Sequence, residues 1–390
     1  MTEAALGLLG IMTCRRNGSP SISESSFYSH LCRLAPLFDL NVTIFQPDGV
    51  REVGKRVTGL KWRNGEWIST ETSPPDIVYN RCFYGSKKER IAAAAALTAL
   101  PMALPWSRGL PDKWGVHEIL KRSSRAAALL TDTRLYTGSR HLSDMLAERE
   151  YGVFLKPLAG THGKRTLHTL KRNGVLGVSV RGRDRDNVPF HHNFNDQKEG
   201  LDWIDRFIGP RRYLMQPYLQ LTSRSGQPFD VRVLMQKNGR GLWERTGMAV
   251  RLGTCGSLTS NLHGGGTAIP VLPFLQEEYG KAGKYIMAQL VEDAALLPPL
   301  LEAACGRLGE LGLDFGIDGG GRITLLEANS KPGRTVFRLT GDHRAEKLAI
   351  ENPLRYARHL LLTNRRVPAL SGGSSGVPGR MITMVPKEDS

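Results

Sequence analysis

The sequence predicts a mixed fold, in which an N-terminal α/β domain is followed by an α+β region of short strands and helices. Three observations predict it. The first hundred residues alternate strand and helix signals, which is typical of a βαβ unit on a parallel sheet. The rest of the chain contains alternating strands joined by tight turns such as Asn238-Gly239. At 390 residues the chain can bury the cores of two or three domains.

Hydrophobic periodicity defines the elements of the N-terminal domain. We predict strands over residues 6–13, 41–45 and 76–80, and helices over residues 24–38 and 91–100. Asn64-Gly65, between two tryptophans, predicts a two-residue hairpin turn. No GxGxxG sequence follows the first strand, so the dinucleotide fingerprint is missing. The domain is therefore interpreted as a scaffold or substrate platform.

Proline and glycine mark the later boundaries. Several of them fall within residues 101–111, where we predict a domain boundary. Asp112 is the predicted cap of a helix that continues to Leu120. A second helix is predicted to begin at Pro298, since proline is tolerated in a first turn. The last segment, residues 365–390, is rich in Gly, Ser and Pro and predicts a flexible tail.

The composition is that of a soluble globular protein, with 40% hydrophobic and 23% charged residues. No stretch of about 18 uncharged apolar residues occurs, so we expect no membrane span. The N-terminal segment lacks the basic region of a secretion signal. Five scattered cysteines, never in CxxC spacing, argue against a zinc site or a disulfide framework and indicate the cytoplasm.

The net charge of +16, from 53 Lys and Arg against 37 Asp and Glu, suggests an anionic partner. Nucleic acid, an acidic polymer and nucleotide phosphates all have the required charge. No recognised nucleic-acid module accompanies the basic residues. A solvated basic surface explains most of them.

Residues 309–333 form the most informative segment. Two runs of alternating apolar residues flank residues 319–322, which predict a four-residue hairpin loop. Strand alternation then fixes which residues face one another. The predicted pairs are Asp318 with Ile323, Gly316 with Leu325 and Asp314 with Glu327.

The pairing of Asp314 with Glu327 predicts a metal site. Directly opposed side chains have Cβ atoms roughly 5 Å apart, and like charges at that distance repel. Asn329 projects from the same side as Glu327. A divalent cation removes the repulsion, and an all-oxygen set with few protein ligands suits Mg²⁺. The alternative is an exposed acidic pair on an edge hairpin, which leaves the convergence with Asn329 unexplained.

Two further segments carry basic or glycine-rich patterns. Lys156 ends a strand before a loop with Gly160 and Gly163, where backbone N–H groups can approach phosphate, although such loops are often plain turns. Alternation over residues 229–236 places Asp230 and Arg232 on one face. A second strand is predicted to carry Arg245 and Arg251 on a shared face, and Asn261 and His263 lie in a glycine cluster beyond it. Arginines that converge on a glycine-lined, metal-bearing site could neutralise a triphosphate. The alternative is ordinary charge on a strand surface, which is an acceptable explanation for Arg245.

Taken in order, these segments resemble the ATP-grasp superfamily, and most closely the YheC/YheD family of endospore coat-associated proteins. The resemblance covers the chain to about residue 362. Seven motifs carry it: PDIVYNR (75–81), PDKWGVHEIL (111–120), FLKPLAGTHGK (154–164), QPFDVRVLMQKNGRGLW (227–243), SNLHGGG (260–266), LGLDFGID (311–318) and LLEANSKPG (325–333).

The resemblance implies an N-terminal pre-ATP-grasp βαβ domain followed by a two-lobed ATP-grasp fold. The expected domains are the pre-ATP-grasp domain (1–110), the N-terminal lobe (111–212), the C-terminal lobe with the metal site (213–364) and the tail (365–390). The cleft between the lobes is expected to bind ATP and two Mg²⁺ ions.

The resemblance also implies the roles of individual residues. Lys113 and Lys156 match phosphate-contacting lysines, and Gly160 and Gly163 match the flap over the phosphates. Met215 and Gln216 match the hinge that meets adenine, where proline at 217 replaces the usual glutamate and Gln220 is the substitute for a ribose contact. The implied catalytic residues are Arg251, Lys156 and Arg232, with Asn261 a further nucleotide contact. The implied metal ligands are Asp314, Glu327 and Asn329.

The implied activity is ATP-dependent ligation of a carboxylate to an amine through an acyl phosphate. The partners are ATP and an unidentified carboxylate and amine, with no membrane. The family resemblance adds association with the mother cell or spore coat as an alternative to a purely cytoplasmic role. A nucleotide-binding coat protein without turnover is the first alternative function, and nucleic-acid binding, suggested by the charge, is the second.

Overall fold

Three β-sheets organise the chain. The computed structural model describes residues 5–16, 22–160, 163–172, 174, 176–257, 260 and 265–365. The predicted flexible tail lies outside the described residues, apart from its first residue. The mixed α/β architecture predicted from the sequence is confirmed. No helix within the described ranges is long and apolar enough to cross a membrane.

The first sheet has the order β4-β3-β2-β1-β5-β6. Strands β2, β1, β5 and β6 are parallel, whereas β3 and β4 form the antiparallel hairpin predicted at Asn64-Gly65, where both turn residues have positive φ. Helices α1 and α2 cover it. Its elements are β1 (Gly7–Met12), α1 (Ser25–Leu34), a 3-10 turn (Ala35–Phe38), β2 (Leu40–Val50), β3 (Val57–Arg63), β4 (Glu66–Thr72), β5 (Ile77–Asn80), α2 (Lys87–Thr98) and β6 (Leu104–Pro105).

The second sheet is antiparallel, with the order β11-β10-β9-β8-β12-β7. Helices α5 and α6 pack on one face and bury an apolar core. The opposite face is polar and lines the cleft described below. Its elements are β7 (Arg134–Leu135), α5 (Ser139–Ala147), β8 (Val153–Pro157), β9 (Leu167–Lys171), β10 (Val178–Arg183), β11 (Pro189–Phe194), α6 (Gln197–Ile208) and β12 (Tyr213–Pro217).

The third sheet is also antiparallel, with the order β15-β14-β13-β16-β17. One face packs against α7 and α8 in the largest core, and α9 and α10 pack on the other face. Its elements are β13 (Phe229–Lys237), β14 (Trp243–Leu252), β15 (Thr267–Ile269), α7 (Val271–Tyr279), a 3-10 turn (Gly280–Ala282), α8 (Gly283–Cys305), β16 (Glu310–Ile317), β17 (Ile323–Asn329), α9 (Thr335–Leu339) and α10 (His343–Arg365).

Some elements pack with a sheet that is distant along the chain. Helices α3 (Lys113–Leu120) and α4 (Ser124–Ala127) precede the second sheet but contribute Val116, Leu120 and Ala126 to the core of the third. Helix α10 follows the third sheet but contributes Leu354 and Leu360 to the core of the first. Buried apolar contacts through α10 therefore tie the first and third sheets together.

A buried ionic network also joins the first and third sheets. Arg81, directly after β5, is fully buried and donates to Glu24 at 2.7 Å and to Glu310 of β16 at 2.8 Å. Tyr79 and Arg334 donate to the same Glu310 carboxylate. Two arginines against two glutamates balance the buried charge, and removal of either arginine would leave a buried carboxylate uncompensated.

The prediction that a helix begins at Pro298 is wrong. Pro298 and Pro299 lie inside α8, which spans 23 residues. Proline in a helix interior removes a hydrogen bond and clashes with the preceding turn. Burial opposes that cost, because Leu290, Leu297 and Leu301 are fully buried on the face that packs against the third sheet.

Candidate active site

A cleft lies between the polar face of the second sheet and the third sheet. Its apolar wall comes from Phe154 of β8, Pro217 of β12, Leu221, and Leu326 of β17. Charged side chains from both sheets line the rest. A concave site with an apolar wall and a few convergent polar groups is the usual form of a ligand pocket.

The C-terminal end of β12 lines part of the cleft. Gln216 lies on the wall, and its amide donates to the Thr133 hydroxyl at 2.8 Å. The side chain of Met215 is buried in the core of the second sheet, so only its backbone is near the cleft. Gln220 is exposed and is not on the wall. Of the predicted adenine and ribose residues, the structure therefore places the side chain of Gln216 alone in the cleft.

Lys113 and Lys156 also line the cleft. Lys113 is the first residue of α3, which the side chain of Asp112 caps as predicted by accepting from Gly115 N at 2.9 Å. Its ammonium donates to the Gly160 carbonyl at 3.1 Å and lies 3.4 Å from Glu327. Two cations and one carboxylate here leave net positive charge, which suits an anionic ligand.

Lys156 is held differently. Its ammonium donates to the Leu326 carbonyl at 3.0 Å, and no carboxylate of the described residues lies within ion-pair distance. Burial lowers the pKa of Lys156 to about 8, although Glu327 and Asp314 favour the charged form. An unpaired, desolvated ammonium is a strong point of attraction for phosphate.

The loop after β8 lies beside these lysines. Gly160 and Gly163 both line the cleft, and Gly163 has a φ of 69°, in the left-handed region that favours glycine. Asn261 and His263, also predicted near the nucleotide, lie outside the described residues. Their placement stays a prediction.

Arginines and carboxylates alternate across the cleft-facing side of the third sheet. Arg251 of β14 is directly opposite Asp230 of β13, and its guanidinium donates to both carboxylate oxygens at 2.6 Å. Ser260 donates to the same carboxylate. Each partner therefore fixes the orientation of the other, and Arg251 lines the cleft.

Arg232 and Asp314 form the adjacent pair. They are directly opposed across β13 and β16, and Arg232 donates to both carboxylate oxygens, at 3.0 Å to Oδ2. Arg251 also lies 3.0 Å from Asp314 Oδ2. Burial raises the pKa of Asp314, but Arg232 and then Arg251 outweigh it, so that the pKa lies below its usual value. Asp314 and Arg251 line the cleft, whereas Arg232 lies behind them.

Glu327 faces Asp314 directly, as the hairpin argument predicted. The other predicted pairs are wrong, because Ile317 faces Ile323 and the loop therefore has five residues. Asp318 lies within it and accepts from Gly320 N and Arg322 N at 2.9 and 3.0 Å. A β-bulge between Asp314 and residue 315 then restores the predicted opposition.

The same bulge has a second consequence. Leu326 is the extra residue, and it presents its side chain to the cleft and its carbonyl to Lys156. An irregularity in β17 thus places the predicted metal ligand Glu327 next to the residue whose carbonyl accepts from Lys156. Bulges often re-aim a side chain next to a functional site.

The donor set fits a Mg²⁺ ion. A carboxylate offers about four lone-pair positions, and the arginines occupy three on Asp314. Glu327 has one ion-pair partner, Lys113, and the Asn329 side chain has no hydrogen bond to the described residues. Two carboxylates and an amide on one face leave room for water and phosphate ligands. Among the described residues no cluster of three or more His, Cys, Asp or Glu suited to a metal occurs, and at this site the third ligand would be the Asn329 amide.

The prediction that Arg245 shares a face with Arg251 is wrong. A bulge between Leu234 and residue 235 shifts the pairing of β13 with β14, so that Arg245 faces Met235 on the core side. Arg245 donates to the sulfur of Met248 at 2.9 Å. Simple alternation fails wherever one strand carries an extra residue.

The sequence analysis missed Asp230 and Ser260 as site residues. Alternation had placed Asp230 beside Arg232, which was a usable signal, but its partner Arg251 could not be identified without the strand pairing. The apolar wall was missed as well, because Phe154 and Leu326 have no distinguishing sequence pattern.

Comparison with known proteins agrees with this architecture. The chain is 28% identical over 359 residues to endospore coat-associated protein YheC of Bacillus subtilis strain 168, covering 90% of this chain and 95% of that protein. It is 27% identical to YheD of the same organism, covering 90% and 78%. The crystal structure of D-cycloserine synthetase DcsG is similar with a TM-score of 0.54 at 13% identity, covering 92% of this chain and 99% of that one.

The family to which these relatives belong is matched directly. A sequence model described as YheC/D like ATP-grasp matches residues 105–360, which is more than half of the chain. The matched range contains both cleft-forming sheets and every predicted site residue. The chain therefore belongs to the YheC/D like ATP-grasp family.

Proposed function

We propose that the protein is an ATP-dependent ligase that joins a carboxylate to an amine. One observation carries the proposal: a single cleft combines two lysines, a glycine loop, an oriented arginine and two opposed carboxylates. The cations suit a triphosphate, and the carboxylates suit the Mg²⁺ that accompanies it. Fold similarity to a synthetase agrees with this but shows the fold alone.

The chemistry has two steps. A carboxylate oxygen of the first substrate attacks the γ-phosphorus of ATP, ADP leaves, and an acyl phosphate forms. The amine then attacks the acyl carbon, inorganic phosphate leaves, and the nitrogen loses a proton. When bound, Mg²⁺ neutralises phosphate charge during the transfer.

The chain's own residues would have distinct tasks in that reaction. Lys156 and Lys113 bind phosphate oxygens, with Gly160 and Gly163 letting backbone N–H groups approach them. Arg251, held by Asp230, faces the charge that develops on the transferring group. Glu327, Asp314 and Asn329 would hold the Mg²⁺.

Further residues would contact the nucleotide or orient the metal ligands. Gln216 and the backbone of Met215 would contact adenine, with Gln220 and Asn261 as further nucleotide contacts. Arg232 would act by orienting Asp314, since it lies behind the cleft wall. The names of the relatives associate them with the endospore coat, and we extend that association to this protein as a location.

ADP release in the presence of Mg-ATP tests the proposal. Amino acids, short peptides and cell-wall fragments are screened as carboxylate and amine donors. We expect at least one to stimulate ADP release, and Glu327→Gln to abolish it. Glu277→Gln, an exposed glutamate on α7, is the matched control and should retain activity. ATP binding without turnover for any donor would favour a nucleotide-binding coat protein instead.

A further inference from the structure

The strand order of the first sheet places a topological switch point between β1 and β5. The chain leaves β1 through α1 toward β2 on one side, and it leaves β5 through α2 toward β6 on the other. Helix α1 packs with Leu9 and Ile11, whereas α2 packs with Met12 and Val78 on the opposite face. In open α/β sheets, ligands bind outside the carboxyl ends of the strands at such a point. Here those ends lead into residues 14–16 and 81–84.

Lys331, from the segment after β17, reaches this end of the first sheet. Its ammonium donates to the Cys82 carbonyl at 2.6 Å and lies 4.5 Å from the centre of the Tyr84 ring. No carboxylate of the described residues lies within ion-pair distance of it. Burial lowers the pKa of Lys331 to about 8. A partly buried ammonium with only neutral partners attracts an anion.

The other partly buried cations at this end already have acidic partners. The two arginines of the buried ionic network bind two glutamates, and Arg16 pairs with Glu89 at 3.0 Å. Lys331 is therefore the member of this group whose charge no described carboxylate balances. A single point charge suits a carboxylate. A phosphate group carries more charge, and in the cleft two lysines and a glycine loop are available for it.

A short segment connects Lys331 to the predicted metal site. Lys331 lies two residues after Asn329, the last residue of β17. Two residues span at most about 7 Å of chain. The residues on either side of Lys331 are fixed, because the Ser330 hydroxyl accepts from Leu110 N at 3.3 Å and the Pro332 carbonyl accepts from Arg81 at 3.2 Å. The switch point of the first sheet therefore adjoins the metal-binding end of the third.

Tyr84 provides an apolar surface beside the Lys331 ammonium. Tyr84 is 39% exposed, and its hydroxyl accepts from Asn80 Nδ2 at 3.0 Å. The other amide atom of Asn80, Oδ1, accepts from Cys82 N at 3.0 Å, so both ends of this amide are fixed. The Tyr84 ring is thus held in place beside a cation. A ligand with a carboxylate and an apolar body matches that combination.

We propose that Lys331 binds a carboxylate of the substrate other than the carboxylate that is phosphorylated. The body of this substrate packs on Tyr84, and its reacting group extends toward Asn329. The bound carboxylate belongs either to the amine substrate, as in an amino acid, or to the acyl substrate, as in a dicarboxylic acid. The role of this ligand as a substrate rests on the proposed function, whereas its binding to Lys331 does not.

Ligand-observed NMR on the full-length protein with Mg²⁺ and ADP tests the binding. The probes are free amino acids, the dicarboxylates succinate, glutarate and adipate, and the corresponding amides. We expect at least one acid to bind, with its amide about tenfold or more weaker. An amino acid places the bound carboxylate on the amine substrate, and a dicarboxylate places it on the acyl substrate. Binding by no acid, or equal binding of acid and amide, would overturn the proposal.

Variants assign that binding to Lys331. Lys331→Gln keeps a donor for the Cys82 carbonyl but removes the charge, and it should weaken acid binding about tenfold. Lys331→Arg keeps the charge and should retain most of the affinity. Lys284→Gln, on the exposed side of α8, is the matched control and should change it less than about twofold. Unchanged acid binding in Lys331→Gln, or an equal loss in Lys331→Arg, would contradict the assignment.

Inorganic phosphate, added as a competitor, distinguishes the class of anion. It should displace the bound acid only at higher concentration than a second carboxylic acid does. Displacement by phosphate at a lower concentration, lost in Lys331→Gln, would assign Lys331 to phosphate and overturn the carboxylate site.

ADP release separates this proposal from the ligase. An acid that stimulates ADP release, with a KM about tenfold higher in Lys331→Gln and a similar kcat, supports both. Binding that depends on Lys331 without ADP release leaves the carboxylate site intact and counts against the ligase. ADP release with an unchanged KM in Lys331→Gln supports the ligase and removes Lys331 from its substrate site.

Discussion

The two sheets that enclose the cleft differ in whether their charged side chains form ion pairs. On the third sheet, Asp230 with Arg251 and Arg232 with Asp314 are opposed cross-strand pairs with two hydrogen bonds each. On the second sheet, Lys156 and Arg181 have only neutral partners among the described residues. Paired charges hold a surface in one geometry, whereas unpaired cations keep their attraction for a ligand. The third sheet is therefore built to orient groups and the second to attract anions.

The largest expected effect is loss of stability when a third-sheet pair is broken. Arg232→Met leaves Asp314 buried without its bidentate partner, and we expect a loss of about 3 kcal/mol in the free energy of unfolding. Arg181→Met, on the second sheet, should lose less than about 1 kcal/mol. Urea denaturation measures both. Adding Asp314→Leu to Arg232→Met should recover most of the loss, and equal losses in the two single variants would contradict the comparison.

The second-largest expected effect is a loss of ATP affinity when Lys156, which has no ion-pair partner among the described residues, is replaced. Lys156→Met should weaken ATP binding about 10- to 100-fold, because a charged hydrogen bond contributes about 1.5–3 kcal/mol. Its free energy of unfolding should not fall, since burial already disfavours the charged form. Calorimetric titration checks the first expectation, with Lys284→Met on the exposed side of α8 as control. Unchanged ATP affinity would remove Lys156 from the phosphate site.

The pH dependence of His168 gives a somewhat smaller effect. Its pKa is lowered to about 4 in the folded protein from an ordinary 6.5. Between pH 6.5 and pH 4 the His168 imidazole is therefore protonated in the unfolded chain but neutral in the folded protein. The contribution of His168 to the free energy of unfolding is fully present above pH 6.5 and falls as the pH drops toward 4. Relative to His168→Gln, the wild type should lose roughly 2 kcal/mol between about pH 7 and pH 5. Parallel curves would show that His168 is not held neutral beside Arg181.

The smallest effect concerns the helix that carries Lys113. Asp112→Ala removes the N-cap of α3, and should cost about 1 kcal/mol of stability. Because Lys113 is the first helical residue, ATP affinity should fall by a few-fold through fraying. Asp112→Asn, which can still cap the helix, should retain both properties. Similar losses in the asparagine variant would point to the charge of Asp112 and not to its cap.

The sequence predicted the central feature of the site better than its surroundings. The opposition of Asp314 and Glu327 follows from their distances to the hairpin loop, and it is confirmed. The intermediate pairs were wrong because Asp318 binds its own loop and lengthens it by one residue. The extra residue at Leu326 then shifts the register back by one residue, so that Asp314 still faces Glu327. Neither feature has a signature strong enough to predict from one strand alone.

Long-range pairing limited the other predictions. Asp230 and Arg232 were placed on one face, but the identity of their partners depends on which strands become neighbours. The predicted face of Arg245 was wrong for the same reason. The bulge that changes its face occurs in the pairing of β14 with β13, which the sequence of β14 alone does not reveal. Pro298 was misplaced because the burial of α8 overrides the local preference of proline. Local chemistry was predictable, whereas the contacts that complete the site were set by tertiary structure.

The effect of Mg²⁺ on ATP affinity in Glu327→Gln tests the proposed metal site most directly. We predict that Mg²⁺ strengthens ATP binding to the wild type about tenfold or more, measured by calorimetry with and without the metal. The variant should lose that gain yet bind metal-free ATP at least as tightly as the wild type, because a carboxylate near the phosphates is gone. An equal Mg²⁺ gain in both proteins would contradict the assignment of Glu327 as a metal ligand.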